Sequence, residues 1–440
     1  MGSPPLVGAL PLALLLVAGC RSSEPRAAAA QGVGTGAATA RPIEFLTWWG
    51  PIGQSDPVQV LISEHAKRFP DDFIITAKTL MSGRAKKTIK TRLMSGDPPD
   101  VIQSNAGYDI RQWVSLNGVD DRDTKLMPLD DSVSDLGSWW TAIPPKLLDY
   151  LTYQGKLYGV PATVHRVNAL FYNKRVLAAH GLAPPKTVAD LRAAGRKLHA
   201  AGIPLFSIGT KEPWQLGYFV FEGLLIAREG SDFYRSYFAG AEQPDDPRIV
   251  KTLQEGLELL GYSNASWGTD LTFVQAGEIL AQGKAALGVD GDWMAVYYAP
   301  EGLTDDSPIG ESAFPGSEKT FVFTSDMFSI PAGAKNADGA KRLISTIGSV
   351  DAQRSLSKVK GCLSPRMDVN DAGASAIQRE KVELLRRGDL VLALSGIVPQ
   401  QFHDDVNWAL LDMIKQNNIE PALQALRSRY RLLLGVRAAK

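Results

Sequence analysis

Apolar positions along this chain alternate between two periods. Ile43 to Thr47 is a short apolar run of strand length, and Asp56-Pro57 follows as a helix start, with Asp at the N-cap and Pro at the first helical position. Val58, Leu61, Ile62, His65 and Phe69 then recur near one helical face until Pro70 ends the helix. Phe73 to Thr79 is β-branched and reads as a strand. Ala85 to Met94 reads as a helix with a basic outer face. Gly96-Asp97-Pro98-Pro99 breaks it, and Val101 to Gln103 is a short buried strand. The texture continues with strand-like stretches at Ala162 to Tyr172, Ala285 to Val289 and Phe321 to Ile330. Helical stretches fall at Val188 to Ala201, Asp246 to Leu260, Ala337 to Leu356 and His403 to Leu434. Strands alternating with helices predict an α/β fold with parallel pairing and right-handed crossovers. Ligands in such sheets sit at the carboxyl ends of strands, where Trp48, Trp49, Gln103 and Asn105 fall.

The first forty-odd residues obey a different logic. Leu6 to Gly19 is an apolar run broken only by Pro11. It is shorter than the ~20 residues a bilayer span needs, and it suits the apolar region of an export signal. It ends in Val17-Ala18-Gly19-Cys20, which resembles the lipobox of bacterial lipoproteins; no Lys or Arg precedes the apolar run. The expectation is a lipoprotein signal peptide over 1–19, lipidation of Cys20, and a flexible anchored tether over 20–42, rich in Ala, Gly and Thr. Gly32 to Ala37 matches GxGxxA formally, but neither a strand before it nor an amphipathic helix after it supports a phosphate-binding reading.

The chain has 440 residues, enough for two or three domains. Lys plus Arg and Asp plus Glu each number 47, and this balance argues against nucleic acid as a partner. Cys20 and Cys362 are the two cysteines, in no pattern that would ligate a metal, so neither a metal nor a cofactor is expected. Cys362 reads as a small buried hydrophobe.

Several blocks together resemble the family-1 extracellular solute-binding proteins over nearly all of residues 43–440. They are Lys90-Thr91-Arg92 leading to Gly96-Asp97-Pro98-Pro99-Asp100-Val101, and Gly155-Lys156-Leu157-Tyr158-Gly159-Val160-Pro161 followed by Leu170-Phe171-Tyr172-Asn173-Lys174. Gln282-Gly283-Lys284-Ala285-Ala286 with Gly291-Asp292-Trp293, and Ile330-Pro331-Ala332-Gly333-Ala334-Lys335-Asn336, complete the set. Trp48-Trp49, His165-Arg166 and Thr324 to Phe328 look most like the glucose/galactose-binding branch.

The resemblance implies a two-lobed periplasmic-binding-protein fold of type II, with a hinge and a ligand cleft between lobes. The lobes would comprise 43–163 plus 326–360 and 168–320 plus 366–440, with crossings near 163–168, 320–326 and 360–366. It implies a non-enzymatic sugar-binding subunit of an ABC importer, taking a mono- or small oligosaccharide by hinge closure and passing it to the transmembrane permease subunits. The protein would act as a monomer in the periplasm or at the cell surface, held to the membrane by its lipid.

The resemblance also carries over the ligand-binding residues. Trp48 and Trp49 would meet a sugar from the first lobe, and Trp293 from the second. Asp326 and Lys360 would sit at hinge crossings facing the cleft, with a hinge salt bridge or solvated charges as the alternative. His165 lies beside a hinge, as a ligand contact or a structural histidine, and Gln103 joins the set from its strand end. Gln54, Asn105, Phe273 and Ser395 match ligand positions but depart from the branch, which has an acidic residue, His or Lys, Trp and His there, respectively. These departures remove charge and shrink side chains. Packing alternatives stand beside each reading: adjacent strand residues point to opposite sides, so one of Trp48 and Trp49 falls naturally to the core; Asp292 suits a helix cap; and Trp214 suits either the cleft mouth or the surface. An exported glycoside hydrolase, with two carboxylates about 5–10 Å apart, and a ligand-presenting sensor subunit are the competing functions.

Overall fold

The computed structural model describes residues 41–438 except 52–55, 80–81, 115–123, 130–138, 265–269, 370–374 and 388. Cys20, the signal and tether, and Gln54 lie outside the described residues.

The chain opens as expected. Strand β1 (Ile43–Thr47) leads to helix α1 (Pro57–Arg68), whose N-cap Asp56 accepts from the backbone N–H of Val58. Strand β2 (Ile74–Lys78), helix α2 (Ser82–Met94), strand β3 (Val101–Asn105) and helix α3 (Tyr108–Val114) follow. Both β2 and β3 pair with β1 in parallel, the pairing expected when helices α1 and α2 connect the strands. A hairpin of β4 (Thr152–Tyr153) and β5 (Lys156–Leu157) turns on Gln154 and Gly155, both left-handed at φ 48° and 73°.

Two expected strands are each divided, and for one reason. Ala162 to Tyr172 contains β7 (His165–Arg166) and most of β8 (Ala169–Asn173), after β6 (Val160–Pro161). Between β7 and β8 the Asn168 amide turns inward and donates to the carbonyl of Thr320 at 3.1 Å. Strands β9 (Leu287–Asp290) and β10 (Ile309–Ala313) flank β8 in an antiparallel sheet. Phe321 to Ile330 likewise separates at Ser325 into β11 (Thr320–Thr324) and β12 (Asp326–Ser329). Strand β12 joins the five-stranded sheet β2-β1-β3-β12-β6, whereas β11 lies between β7 and β13 (Asp389–Leu392) in a sheet of its own. Residues 321–330 are buried throughout, and the change of sheet falls at the polar Thr324-Ser325-Asp326 that interrupts the apolar run.

Two long helical expectations also divide. Ala337–Ile347 and Val350–Lys360 are separate helices, the second capped by the Ser349 side chain. Gln400–Gln416 ends at Asn417, left-handed at φ 47°, before Glu420–Ala438 begins.

Side chains gather into two large cores. One is built from β1, α1, α2, β3, β12 and the helices of 337–360. The other is built from β8, β9, the helices between 188 and 260, and those after 400. The sheet β13-β11-β7 serves both. Phe321 and Phe323 of β11 point into the first core and Val322 into the second; on β13, Leu390 and Leu392 face the first and Val391 the second. This is strand alternation with a core on each face. The helix Ala376–Arg387 beside this sheet buries Val382 and Leu385 in the first core.

Candidate functional site

Strand β1 ends at Thr47, and the two indoles beyond it part company. Trp49 is 3% exposed, edge-on to Phe328, while Trp48 is half-buried. The Thr47 hydroxyl fixes this exit by accepting from the Trp49 backbone N–H at 3.0 Å. The side-chain carbonyl of Gln103, in the middle of β3, accepts from the Thr47 hydroxyl and from the Trp48 N–H at 3.1 Å.

Asp326 is the hub of this wall. Its Oδ2 accepts from the Trp49 indole Nε1 at 2.8 Å and from the Thr163 hydroxyl at 3.3 Å, and its Oδ1 accepts from Gln103 Nε2 at 3.0 Å. Lys360 Nζ lies 3.9 Å from Oδ2 and 4.9 Å from the Trp49 ring centroid. Lys360 closes its helix, where the helix dipole favours a cation. Gly361 follows in the left-handed cap at φ 65°, and a Cβ there would meet Val296 Cγ1 at 2.8 Å. Asn105 sits opposite Asp326 in the β3–β12 register, its amide donating to the Thr324 hydroxyl at 2.8 Å. Trp49, Gln103, Asp326 and Lys360 thus form one bonded group, with Trp48 and Asn105 at its border.

The second core supplies an aromatic wall. Trp214 lies 5.1 Å from Tyr218, 5.6 Å from Phe273 and 5.8 Å from Trp293 between ring centroids. Phe273 is held at the first turn of Phe273–Ala281 by a Thr272–Gln275 capping box. Trp293 hydrogen-bonds Asp290, which also accepts from Gln215 Nε2 at 2.7 Å and from the Gly291 N–H at 2.7 Å. Burial pushes the Asp290 carboxyl well above its usual range, against the pull of these donors. Burial above all, with lesser contributions from the carboxyls of Glu222, Asp290 and Asp326, pushes the Tyr218 hydroxyl well above its ordinary range.

His165 and Asp292 lie behind the aromatic wall. His165 is 1% exposed, its ring edge-on to Trp293 at 5.1 Å and its Nδ1 at 2.7 Å from Asp292 Oδ1. Lys381 reaches Asp292 Oδ2 at 3.3 Å and Glu311 Oε1 at 2.5 Å. Burial alone would raise Asp292, but Lys381 and His165 hold it below its ordinary value; Lys381 is in turn raised, burial notwithstanding, by Asp292 and Glu311. Asp292 is therefore an ion-pair partner rather than the cap of Met294–Tyr298, which has no side-chain cap bond. Cys362 is buried, and burial pushes its thiol well above the normal range, in keeping with an inert small side chain.

Ser395 stands half-buried on the short helix Leu394–Ile397, apart from both walls in bonding; that helix is held by Glu222 Oε1, which accepts from the Leu394 N–H at 2.9 Å. Sequence reasoning did not single out Thr163, Tyr218, Asp290 or Lys381. A carboxylate closing an apolar strand just before Gly291-Asp292-Trp293 was the available signal for Asp290. Among the described residues no cluster of His, Cys, Asp and Glu is arranged to hold a metal ion, and no helix is long and apolar enough to cross a membrane.

Rigid indole faces beside fixed amide, carboxylate and ammonium groups can hold an uncharged molecule with apolar faces and a hydroxylated rim. Residues 75–354 match the family model described as bacterial extracellular solute-binding protein. The chain is 27% identical over 394 residues to an uncharacterised ABC transporter extracellular-binding protein of Pyrococcus horikoshii, covering 86% of this chain and 85% of that one. It is 25% identical over 375 residues to a probable sugar-binding periplasmic protein of Mesorhizobium japonicum, covering 83% and 86%. Among solved structures it superposes on the bacterial solute receptor AcbH, described as preferring β-D-galactopyranose exclusively, with a TM-score of 0.76 and 19% identity over 90% of this chain and 99% of that one.

Proposed function

This chain belongs to the bacterial extracellular solute-binding protein family, and from that premise we propose that it captures a mono- or small oligosaccharide and delivers it to the permease of an ABC importer. The observation that carries the ligand class is the bonded group of Trp49, Gln103, Asp326 and Lys360 with the half-buried Trp48 at its border, and the cluster of Trp214, Phe273 and Trp293 would add aromatic faces to it. Hydroxyls would be read by Lys360, Asn105 and the remaining acceptor capacity of Asp326. The C–H faces would lie on Trp48 and the second-core indoles. The names of the relatives, sugar-binding in Mesorhizobium japonicum and galactopyranose-preferring in AcbH, support the same class.

Residues 43–163 with 326–360, and 168–320 with 366–440, would be the two lobes, moving about the crossings near 163–168, 320–326 and 360–366. Binding by hinge closure follows. A non-catalytic role fits the carboxylates: Asp326 is already engaged by three donors and Asp290 by Gln215, Gly291 and Trp293, which suits anchors better than a paired acid and base. The Val17-Ala18-Gly19-Cys20 sequence supports a lipid anchor in the periplasm or at the cell surface, and the chain would act there as a monomer.

The test is a thermal-shift and calorimetry panel of pentoses, hexoses, disaccharides, peptides and divalent cations, because a ligand of the folded state raises the melting temperature by mass action. At least one sugar should shift melting and give a saturable isotherm. A panel in which peptides or cations alone do so overturns the proposal, and sugar hydrolysis by the purified chain would restore the hydrolase reading.

A further inference from the structure

Lys86 is a cation where a helix surface would ordinarily bury an apolar residue. It lies on α2 next to Ala85, its side chain 8% exposed, and Nζ reaches Asp109 Oδ2 at 2.9 Å. Asp109, at the start of α3, also accepts from the Asn105 N–H at 2.9 Å. The ammonium lies 5.9 Å from the Trp48 ring centroid. These groups all belong to elements of the first core. The remaining partner does not: Lys86 Nζ donates to Gln400 Oε1 at 3.1 Å, and Gln400 opens the helix whose Phe402, Val406 and Leu410 fill the second core. The other end of that amide donates to Asp404 Oδ1 at 2.7 Å, which fixes which atom faces Lys86. Lys86 also acts on Asp404 directly: burial would raise that carboxyl, but His403, Gln400 and Lys86 together keep it below its ordinary value. A single buried cation therefore stands between a carboxylate of each core, touching one and reaching the other through a polarised amide.

A charge-assisted bond of this kind depends steeply on separation, and its donor is already desolvated by its own core. Moving the cores apart would strip Lys86 of Gln400 while leaving Asp109 in place. We propose that Lys86 is a closure latch: a positioning residue that reaches across to Gln400 and holds the two lobes together beside Trp48. The inference rests on the two-lobed, hinge-closing reading, but not on which solute is bound.

The experiment measures lobe separation without any ligand. Spin labels on Lys90→Cys (exposed, on α2) and Lys415→Cys (exposed, on Gln400–Gln416), in the full chain carrying Cys20→Ala, report the distance distribution by pulsed electron resonance. Lys86→Met and Gln400→Ala should each move population from the short distance to a longer, broader one. The double variant should move it no further than the larger single effect, since both remove the same bond. Gln400→Ala leaves the Lys86–Asp109 pair intact, so it reports on the latch even if Lys86→Met, which strands Asp109, folds poorly. An unchanged distribution in Gln400→Ala overturns the latch, as does strict additivity. With a sugar that binds, both variants should weaken affinity roughly 10- to 100-fold, mainly through faster dissociation, as expected of one charge-assisted bond made on closing. Widened distances in a chain that binds no sugar would leave the latch standing and remove the sugar reading instead.

Discussion

The indole N–H of Trp49 points into the protein, onto Asp326 Oδ2 at 2.8 Å, so this tryptophan is held by the residue that would otherwise be free to greet a ligand. Trp293 is held the same way by Asp290 on the opposite wall. Each indole has spent its one donor on a buried carboxylate; Trp49, 3% exposed, is packed into the first core, and only the half-buried Trp293 keeps ring surface to offer. On the proposed sugar reading, hydroxyls would be recognised by other groups than these two N–H donors.

Asp326→Ala should therefore damage both binding and folding. It removes the acceptor of the Trp49 indole and of Gln103, and the counter-charge of the buried Lys360. A binding loss of roughly 2–4 kcal/mol is expected from one or two charge-assisted bonds. The donors left unpaired should cost about 1–3 kcal/mol of stability as well. Calorimetry with the best sugar and chemical denaturation read the two separately; full affinity in the folded variant would take Asp326 out of the ligand site.

Lys381→Met leaves Asp292 and Glu311 buried without their cation. Breaking one side of a buried ion pair costs about 3–5 kcal/mol, because the remaining charge is stranded. A denaturation midpoint near wild type would mean that the cluster is neutral in the folded protein. Affinity should fall less than stability, since Lys381 stands behind Trp293 rather than beside the ligand.

Glu222 gives a pH prediction with a definite sign. Burial raises its carboxyl from the ordinary 4.5 to about 7, the Leu394 N–H and its own N–H opposing. The folded state thus holds a proton that the unfolded state releases earlier. Its contribution is fully present below about 4.5 and is lost as pH rises through about 7, a change of roughly 3 kcal/mol by linkage. Glu222→Gln keeps an acceptor for Leu394 and lacks this titration. In thermal melts the variant should gain on wild type between pH 5 and 8; parallel curves would mean that Glu222 titrates like an exposed carboxyl.

Cys20→Ala tests the anchor. Expressed in a bacterium with its native leader, the wild-type chain should fractionate with membranes and take up labelled palmitate. The variant should appear in the soluble fraction without label. Retention of the variant on membranes would disprove lipidation at this thiol.

The sequence made the opening of the first core legible because each element there carries its own punctuation: Asp56-Pro57 at a helix start, Pro70 at its end, Gly96 to Pro99 before β3. The crossing strands were not, because Phe321 to Ile330 is buried on both sides of its polar break at Thr324 to Asp326, and such a break does not record which sheet each half joins. Site residues followed the same division. Asp326, Lys360 and the indoles stood out by chemistry and resemblance, and Gln103 by lying at a strand end. Thr163 and Lys381 act through partners more than a hundred or nearly ninety positions away, Asp326 and Asp292, and no local pattern announces them.

The alternation of β11 and β13 between cores has a mechanical meaning. Phe321, Phe323, Leu390 and Leu392 are rooted in the first core while Val322 and Val391, on the same strands, are rooted in the second. Neither core can melt without exposing a face of that common sheet, so denaturant should unfold both cores in one transition. If the cores move apart on opening, the sheet they share has to bend or twist with them, because each face of β11 and β13 is packed against a different core.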